Sequence, residues 1–180
     1  MACISKLASA IAYDCDSGAT GLVSAIIINK ADIASYGLVN NVAVQNLTLA
    51  SGASAYKVDT VKRSTTVSVA LKVNDGAPNA YSQTATLTIM LDRGRSGYAA
   101  LMNALSNGSF VILAKHGNGD MQCAVYGLYY GLSATSIERS SHDNAGWATV
   151  TLETPENVIG EDNLYITNAD YDALYKAAVG

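Results

Sequence analysis

Apolar and polar residues alternate along much of the chain, which is the pattern expected of strands that bury one face. The clearest cases are STTVSVALKVN at residues 64–74 and QTATLTIML at residues 83–91. Asp75, Gly76 and Pro78 lie between these segments and predict a turn, so the two segments are expected to pair. Further strands are predicted at residues 22–29, 42–49, 110–115, 121–137 and 147–153.

Two segments instead repeat apolar residues with the period of a helix. The first is SGYAALMNALSNG at residues 96–108, where Ser96 is placed to cap the N-terminus and Gly108 to end the helix. Its apolar stripe consists of Tyr98, Leu101, Met102 and Leu105. The second covers residues 168–178 with Asn168 as the cap, and packs on its own subunit or on another. Its stripe consists of Tyr171, Leu174, Tyr175 and Ala178.

This order of elements predicts a mainly β fold, an antiparallel β-sandwich or barrel with one flanking central helix and a short C-terminal helix. We expect a single domain over residues 1–180, which is long enough to bury a core. Within it, residues 1–20 are predicted to form an N-terminal arm and residues 168–178 the C-terminal helix.

The composition indicates a surface with few charges. Charged residues make up 14% of the chain, against roughly 25% in typical soluble domains. The chain also has 11 tyrosines, which suit half-buried and interfacial positions. Both features favour a surface covered by neighbouring subunits, although many β-proteins are simply rich in Tyr and Thr. The net charge of −4 does not indicate a sequence-reading nucleic-acid binder, and no apolar run predicts a membrane partner.

Residue types that carry chemistry are few. Cys3, Cys15 and Cys123 are an odd number with no C-x-x-C pair, so inert thiols are predicted rather than a zinc site or a disulfide framework. The adjacent Ser, His and Asp at residues 141–143 cannot form a catalytic triad, because triad members meet from separate elements. KHGNGD around His116 indicates a hairpin turn. We therefore predict no catalytic residue, no cofactor and no metal site.

The segment VYGLYYGLSATSIE, residues 125–138, places two glycines inside a predicted strand. In strand phase Gly127, Tyr129 and Gly131 share one face, where Tyr129 stands between two positions that lack side chains. Glycine in a strand marks either the close approach of another segment or a bulge. Three interpretations stay open: the face receives the helix at residues 96–108, it receives a neighbouring subunit, or the glycines only form a bulge.

The order of elements over residues 60–156 resembles the major tail tube protein of tailed bacteriophages. The likeness rests on a strand pair, a short helix, FVILAKHGNGD, VYGLYYGLSATSIE and the closing segment WATVTLETPE. The resemblance implies a structural virion protein whose hexameric rings stack into a hollow tube, through which DNA passes without sequence-specific binding. It also implies a place in the virion tail, synthesis in the host bacterial cytoplasm, and other phage tail or neck proteins as partners.

Two alternatives to a tail tube protein stay open, the first because the resemblance does not cover the N-terminal 60 residues and the C-terminal helix. A related neck, connector or tail-terminator ring protein would share the same strands and helix. An alternative of another class is a carbohydrate-binding β-module, which would expose an aromatic platform to which Trp147 could belong.

Charge suggests how rings would stack. The segment YKVDTVKR, residues 56–63, lies in a mainly basic region, and the region from Glu138 onward is acidic. Since stacking joins two different surfaces of one subunit type, we expect residues 56–63 to form a projecting loop or hairpin that meets the acidic segment of the next ring. A solvated charge run and an acidic lumen along which DNA slides are the alternatives. Together with the glycine segment, the predicted interface consists of Tyr56, Lys57, Lys62, Arg63, Gly127, Tyr129, Gly131, Glu153, Glu156, Glu161 and Asp162.

Overall fold

The computed structural model describes residues 22–58, 70–74, 77–89, 97–116, 123–139, 148–155 and 163–179. Its strands are β1 (Leu22–Asn29), β2 (Ile33–Val39), β3 (Ala43–Leu49), β4 (Tyr56–Val58), β5 (Ala70–Asn74), β6 (Ala77–Ile89), β7 (Ser109–His116), β8 (Cys123–Tyr126), β9 (Leu132–Arg139), β10 (Ala148–Glu153) and β11 (Leu164–Ile166). Its helices are α1 (Gly97–Asn107) and α2 (Asn168–Ala177), and a short 3-10 helix at Lys30–Asp32 joins β1 to β2. The prediction of a mainly β fold with a short C-terminal helix is confirmed.

The eleven described strands form one branched sheet. One path through it has the order β2-β3-β11-β8-β7-β9-β10-β6-β5, and β1 joins the other edge of β7 and carries β4. The pairs are antiparallel except β3 with β11, which is parallel. The branch arises because one edge of β7 pairs first with β9, at residues 109–110, and then with β8, at residues 112–115. The sheet therefore divides into a larger layer (β4-β1-β7-β8-β11-β3-β2) and a smaller layer (β9-β10-β6-β5).

β7 is buried on both faces and lies between two hydrophobic cores. All five residues of FVILA, 110–114, are buried. Val111 and Leu113 belong to the core that the larger layer shares with α2. Phe110 and Ile112 belong to the core between β7 and the smaller layer, to which α1 also contributes. The continuous apolar run, in place of alternation, is what a fully buried strand requires.

Most of the strands were predicted from the sequence. The predictions at residues 22–29, 42–49, 110–115 and 147–153 agree with β1, β3, β7 and β10 to within one residue at each end. β2, β4 and β11 were not predicted. β7 and β8 are antiparallel neighbours, which confirms that the chain around KHGNGD connects a hairpin.

Pro78 lies inside β6 rather than in the predicted turn, because β6 already begins at Ala77. The pairing of β6 with β5 shifts register between Val73 and Asn74, so the proline occupies the irregular start of the strand. A proline is tolerated there because it interrupts no regular ladder. Other predicted features lie outside the described residues: the arm at 1–20, the turn residues 75–76, Ser96, residues 141–143, Cys3, Cys15 and Trp147.

The first predicted helix is confirmed as α1, but its buried face is narrower than the apolar stripe. Leu105 is 5% exposed and joins the core of the smaller layer, with Met102 packed beside it. Leu101 is 45% exposed, so this residue of the predicted apolar stripe does not lie in the core. α1 rests mainly on β9, and Leu101 lies about 100° around the helix from Met102. A single strand is too narrow to cover both Leu101 and Met102.

Gly108 directly follows α1, but its φ is not among the positive φ values of the described glycines. A left-handed backbone conformation is therefore not the reason for a glycine at this position. A Cβ at this position would overlap the Phe110 ring and lie 2.8 Å from the Ala104 carbonyl oxygen. The glycine therefore lets Phe110 pack back over the last turn of the helix as β7 begins.

α2 packs on its own subunit. Tyr171 and Ala178 are buried in the core of the larger layer. Thr167, and not Asn168, is the N-cap, because its Oγ1 accepts a hydrogen bond from the Asp170 backbone N–H at 3.2 Å. The prediction for the cap is therefore wrong by one residue.

Candidate functional site

Gly127 and Gly131 begin and end a tight turn between β8 and β9, so the predicted continuous strand at 121–137 is interrupted. Both glycines have positive φ, 74° and 77°, which only glycine adopts without strain. The Gly131 N–H donates to the Gly127 carbonyl oxygen at 2.9 Å. These residues are not extended, so the prediction that they share one strand face with Tyr129 is wrong. The turn instead forms an enlarged bulge between β8 and β9.

The segments that approach the two glycines come from the same chain. A Cβ on Gly127 would lie 2.9 Å from the Phe110 carbonyl oxygen of β7. One on Gly131 would overlap the Ser109 side chain and lie 3.5 Å from Lys30 Cβ. β7 and the 3-10 helix, rather than α1, therefore fill the space beside the glycines. Contact of this turn with a neighbouring subunit stays a prediction.

A buried glutamine joins the turn to the smaller layer. Gln83 of β6 is 1% exposed, and its Oε1 accepts a hydrogen bond from the Gly127 N–H at 2.9 Å. The Gln83 N–H donates to Thr154 Oγ1, also at 2.9 Å. Leaving a buried amide group without its hydrogen-bond partner lowers the stability of the fold. These bonds therefore hold the turn in a fixed position relative to β6.

Replacing Gln83 with leucine should lower the free energy of unfolding by roughly 1–3 kcal/mol, because the Gly127 N–H would lose its buried acceptor. Thr86→Val, on the half-buried face of the same strand, is the control and should change it by less than about 1 kcal/mol. Urea unfolding followed by circular dichroism measures both variants. Equal losses would mean that the strand position, and not the hydrogen bond, sets the effect.

Polar side chains gather where α2 meets β1 and β7. Ser24 Oγ and the Tyr171 hydroxyl lie 2.8 Å apart. The Lys115 ammonium lies 3.0 Å from the Asp172 carboxylate and 5.7 Å from the centre of the Tyr171 ring. Burial raises the pKa of Tyr171 to about 12 and lowers the pKa of His116 at the end of β7. Both groups are therefore neutral near pH 7, and the cluster fastens α2 to the sheet.

Cys123 is a buried thiol beside this cluster. Its Sγ donates a hydrogen bond to the Asn168 side-chain oxygen at 3.0 Å, which explains why Asn168 is not the helix cap. Burial raises the pKa of the Cys123 thiol to about 11. Since the thiolate is the reactive form, this is the environment of a structural cysteine.

Cys123 should resist alkylation in the native protein. At about pH 8 only on the order of one thiol in a thousand would be ionised at this pKa, and the group is fully buried. Iodoacetamide treatment followed by peptide mass mapping measures the modified fraction, with denatured protein as the control. Modification of the Cys123 peptide at equal rates in both states would contradict the buried placement.

Tyr56 and Lys57 lie in β4, which pairs with β1, so these two residues do not lie in a projecting loop. Residues 59–63 of the predicted loop or hairpin lie outside the described residues, so for them it stays a prediction. The other edge of β4 is occupied by the C-terminal segment. The Lys57 N–H donates to the Val179 carbonyl oxygen at 2.8 Å, and the Val179 N–H to the Ala55 carbonyl oxygen at 2.9 Å. Lys57 Nζ lies 5.0 Å from the centre of the Tyr175 ring. Backbone pairing on both edges holds this segment in the sheet.

The other members of the predicted stacking contact are mostly not described. Glu153 is half-buried at the end of β10, where it pairs with Thr84 and Ser133. Those outside the described residues are Lys62, Arg63, Glu156, Glu161 and Asp162. The charge contact between rings therefore stays a prediction.

The β2–β3 hairpin is exposed and uncharged. No charged residue occurs between Asp32 and Lys57, a stretch of 24 residues that contains the hairpin, and eight of the seventeen hairpin residues, 33–49, are exposed. A surface of that size would ordinarily carry about two or three charges. Val39 and Val42, on either side of the hairpin turn, are 41% and 37% exposed.

The hairpin also lies at an edge of the sheet. Among the described strands β2 pairs with β3 alone. Asn40 and Asn41 form its turn with φ of 52° and 60°, the conformation of the tight turns that suit hairpins. Edge strands of solitary proteins are generally protected by charged side chains. An uncharged edge is instead typical of a surface that another chain covers.

α1 is a second exposed, uncharged region. It has no charged residue, and seven of its side chains are exposed, among them Leu101, Ala104 and Asn107. α2 has nearly the same length, yet its five exposed residues include Asp172 and Lys176. The described surface therefore has two uncharged regions, the β2–β3 hairpin in the larger layer and α1 against the smaller layer.

The described residues show no arrangement suited to a metal ion, since no three His, Cys, Asp or Glu side chains group together there. Neither α1 nor α2, the helices of the described part of the chain, has the length and apolar character needed to cross a membrane. Comparisons of the chain with protein-family models, with curated proteins and with solved structures found no match.

Proposed function

We propose that the protein is a structural subunit that associates head-to-tail into closed rings, and that these rings stack into the tail tube of a bacteriophage. The observation that carries the proposal is the pair of exposed, uncharged regions on different layers of one subunit. Head-to-tail association joins two different surfaces of the same subunit type. The centres of such interfaces are poor in charged residues, which is the property that the hairpin and α1 share.

The tube is supported by the resemblance of residues 60–156 to tail tube proteins. A β-sandwich with a helix against one layer is compatible with that resemblance, and so is the low charge of the whole chain, 14%. In this proposal the subunit contacts copies of itself and other tail or neck proteins, and DNA passes through the lumen.

Sedimentation velocity and negative-stain electron microscopy of the purified protein test the proposal. We expect rings at low concentration and stacked tubes as the concentration rises. Rings that never stack would contradict the tube and favour a neck, connector or tail-terminator ring.

A monomer at every concentration would overturn the proposal. The alternative to test would then be carbohydrate binding through exposed aromatic residues, of which Tyr56 and Tyr130 are 45% and 39% exposed. Glycan-array binding measures that activity.

A further inference from the structure

We infer that the β2–β3 hairpin of one subunit docks on α1 of the next subunit in the ring. The inference rests on the proposed function, because it names the contact through which head-to-tail association occurs. The partner is a second copy of this chain, which presents its own α1 to the hairpin.

The argument for α1 as the receptor comes from the charges on the other exposed elements. The 3-10 helix has Lys30 and Asp32, β9 ends in Glu138 and Arg139, and α2 has Asp172 and Lys176. The hairpin has no charged residue to pair with any of these. Docking it there would cover a charge or an ion pair with a surface that offers no charged group in return for lost hydration, which is costly. α1 has no charged residue, so docking the hairpin there removes no charge of the receptor helix from water.

The side chains of the two regions also suit each other. Val39 and Val42 expose apolar surface on either side of the hairpin turn. On α1, Leu101 is exposed, and Ala100 and Ala104 are exposed one turn apart, so a neighbouring chain can approach the helix closely. The contact would bury these apolar groups against each other.

Two single substitutions that place a charge in the contact test the inference. They are Val39→Glu in the hairpin and Leu101→Glu in α1, at residues 41% and 45% exposed. Val23→Glu on β1, at a residue 45% exposed, is the matched control outside both regions. We expect Val39→Glu and Leu101→Glu each to raise the concentration for half-assembly by at least about 30-fold. The control should assemble as the parent does, and circular dichroism confirms that each variant is folded.

Mixing the two variants tests which surfaces meet. The Val39→Glu subunit keeps an intact α1, and the Leu101→Glu subunit keeps an intact hairpin. An equal mixture therefore has one functional contact and is expected to form heterodimers but no rings. Sedimentation velocity with one variant fluorescently labelled detects the heterodimer, and each variant alone should stay monomeric.

The outcomes separate the inference from the proposed function. A monomeric parent overturns both. Rings from the parent together with unimpaired assembly of either folded variant overturn the hairpin–α1 contact and leave the ring proposal standing. Loss of assembly in Val39→Glu alone points to hairpin–hairpin pairing and overturns the contact. Equal loss in Val23→Glu, or no heterodimer in the mixture, also overturns it.

Discussion

Gly127→Ala is expected to destabilise the protein by about 3 kcal/mol. A Cβ at φ 74° has a steric cost of roughly 1–2 kcal/mol. The same atom would lie 2.7 Å from Leu132 Cγ and 2.9 Å from the Phe110 carbonyl oxygen. Overpacking of this kind adds roughly 1–3 kcal/mol, because the backbone of β7 cannot move away without breaking its pairing. Chemical denaturation at a concentration where the protein is monomeric measures the loss.

Gly52→Ala separates the two contributions. Gly52 also has a positive φ, 83°, but a Cβ there would have no atom within 4 Å. Only the backbone term applies, so a loss of about 1 kcal/mol is expected. The difference between the two variants measures the close approach of β7 to the turn. If both variants lose the same free energy of unfolding, the close approach of β7 to the turn contributes nothing to stability.

Ile112→Ala and Leu113→Ala are each expected to cost roughly 2–5 kcal/mol. The two residues are adjacent in β7 and fully buried, yet they belong to different cores. Each truncation leaves a cavity in its core. The smaller layer cannot move in to fill the cavity at Ile112, and α2 cannot fill the one at Leu113. Thermal and urea unfolding should show both losses in single cooperative transitions, because β7 is common to the two cores.

Leu101→Ala is the control for these two truncations. Leu101 is 45% exposed, so its loss in the monomeric protein should stay below about 1 kcal/mol. A loss as large as that of Leu113→Ala would contradict the exposed placement of this side chain. A negligible loss at Ile112 or Leu113 would contradict the two-core description.

Those features of the fold that depend on local pattern were predictable from the sequence. Period-two alternation located β5 and the second half of β6, and β1, β3, β7 and β10 were also predicted to within one residue at each end. The stripe of α2 was also predicted, since Tyr171 and Ala178 are buried as its period requires. In each case the buried face is set by residues close in sequence, which is the information that periodicity contains.

Features that depend on distant partners were not predictable in this way. β4 and β11 have three residues each and exist through pairing with strands far away in the chain. The width of the buried face of α1, which excludes Leu101, depends on what the helix rests against. Only the Asn40-Asn41 pair was a missed local signal, since two such residues between apolar segments favour a hairpin turn.

The sequence alone shows one of the two properties that define the candidate surfaces, their lack of charge, but not their exposure. The charge-free stretch of 24 residues between Asp32 and Lys57 can be recognised from the amino-acid sequence alone. A stretch without charges is equally typical of a buried core, however, and burial is decided by the tertiary fold. Exposure of half of its residues is what makes the stretch a candidate interface.

The position of β11 has a consequence for the order of folding. β11 comes after every other described strand in the chain, yet it lies between β3 and β8 in the sheet. Its parallel pairing joins Ala43 to Tyr165, a contact of very large sequence separation, and such contacts form slowly. Until it forms, the β2–β3 hairpin is not held against the rest of the larger layer through this strand. We therefore expect subunits to become competent for assembly only late in folding, which would keep incomplete chains out of the ring.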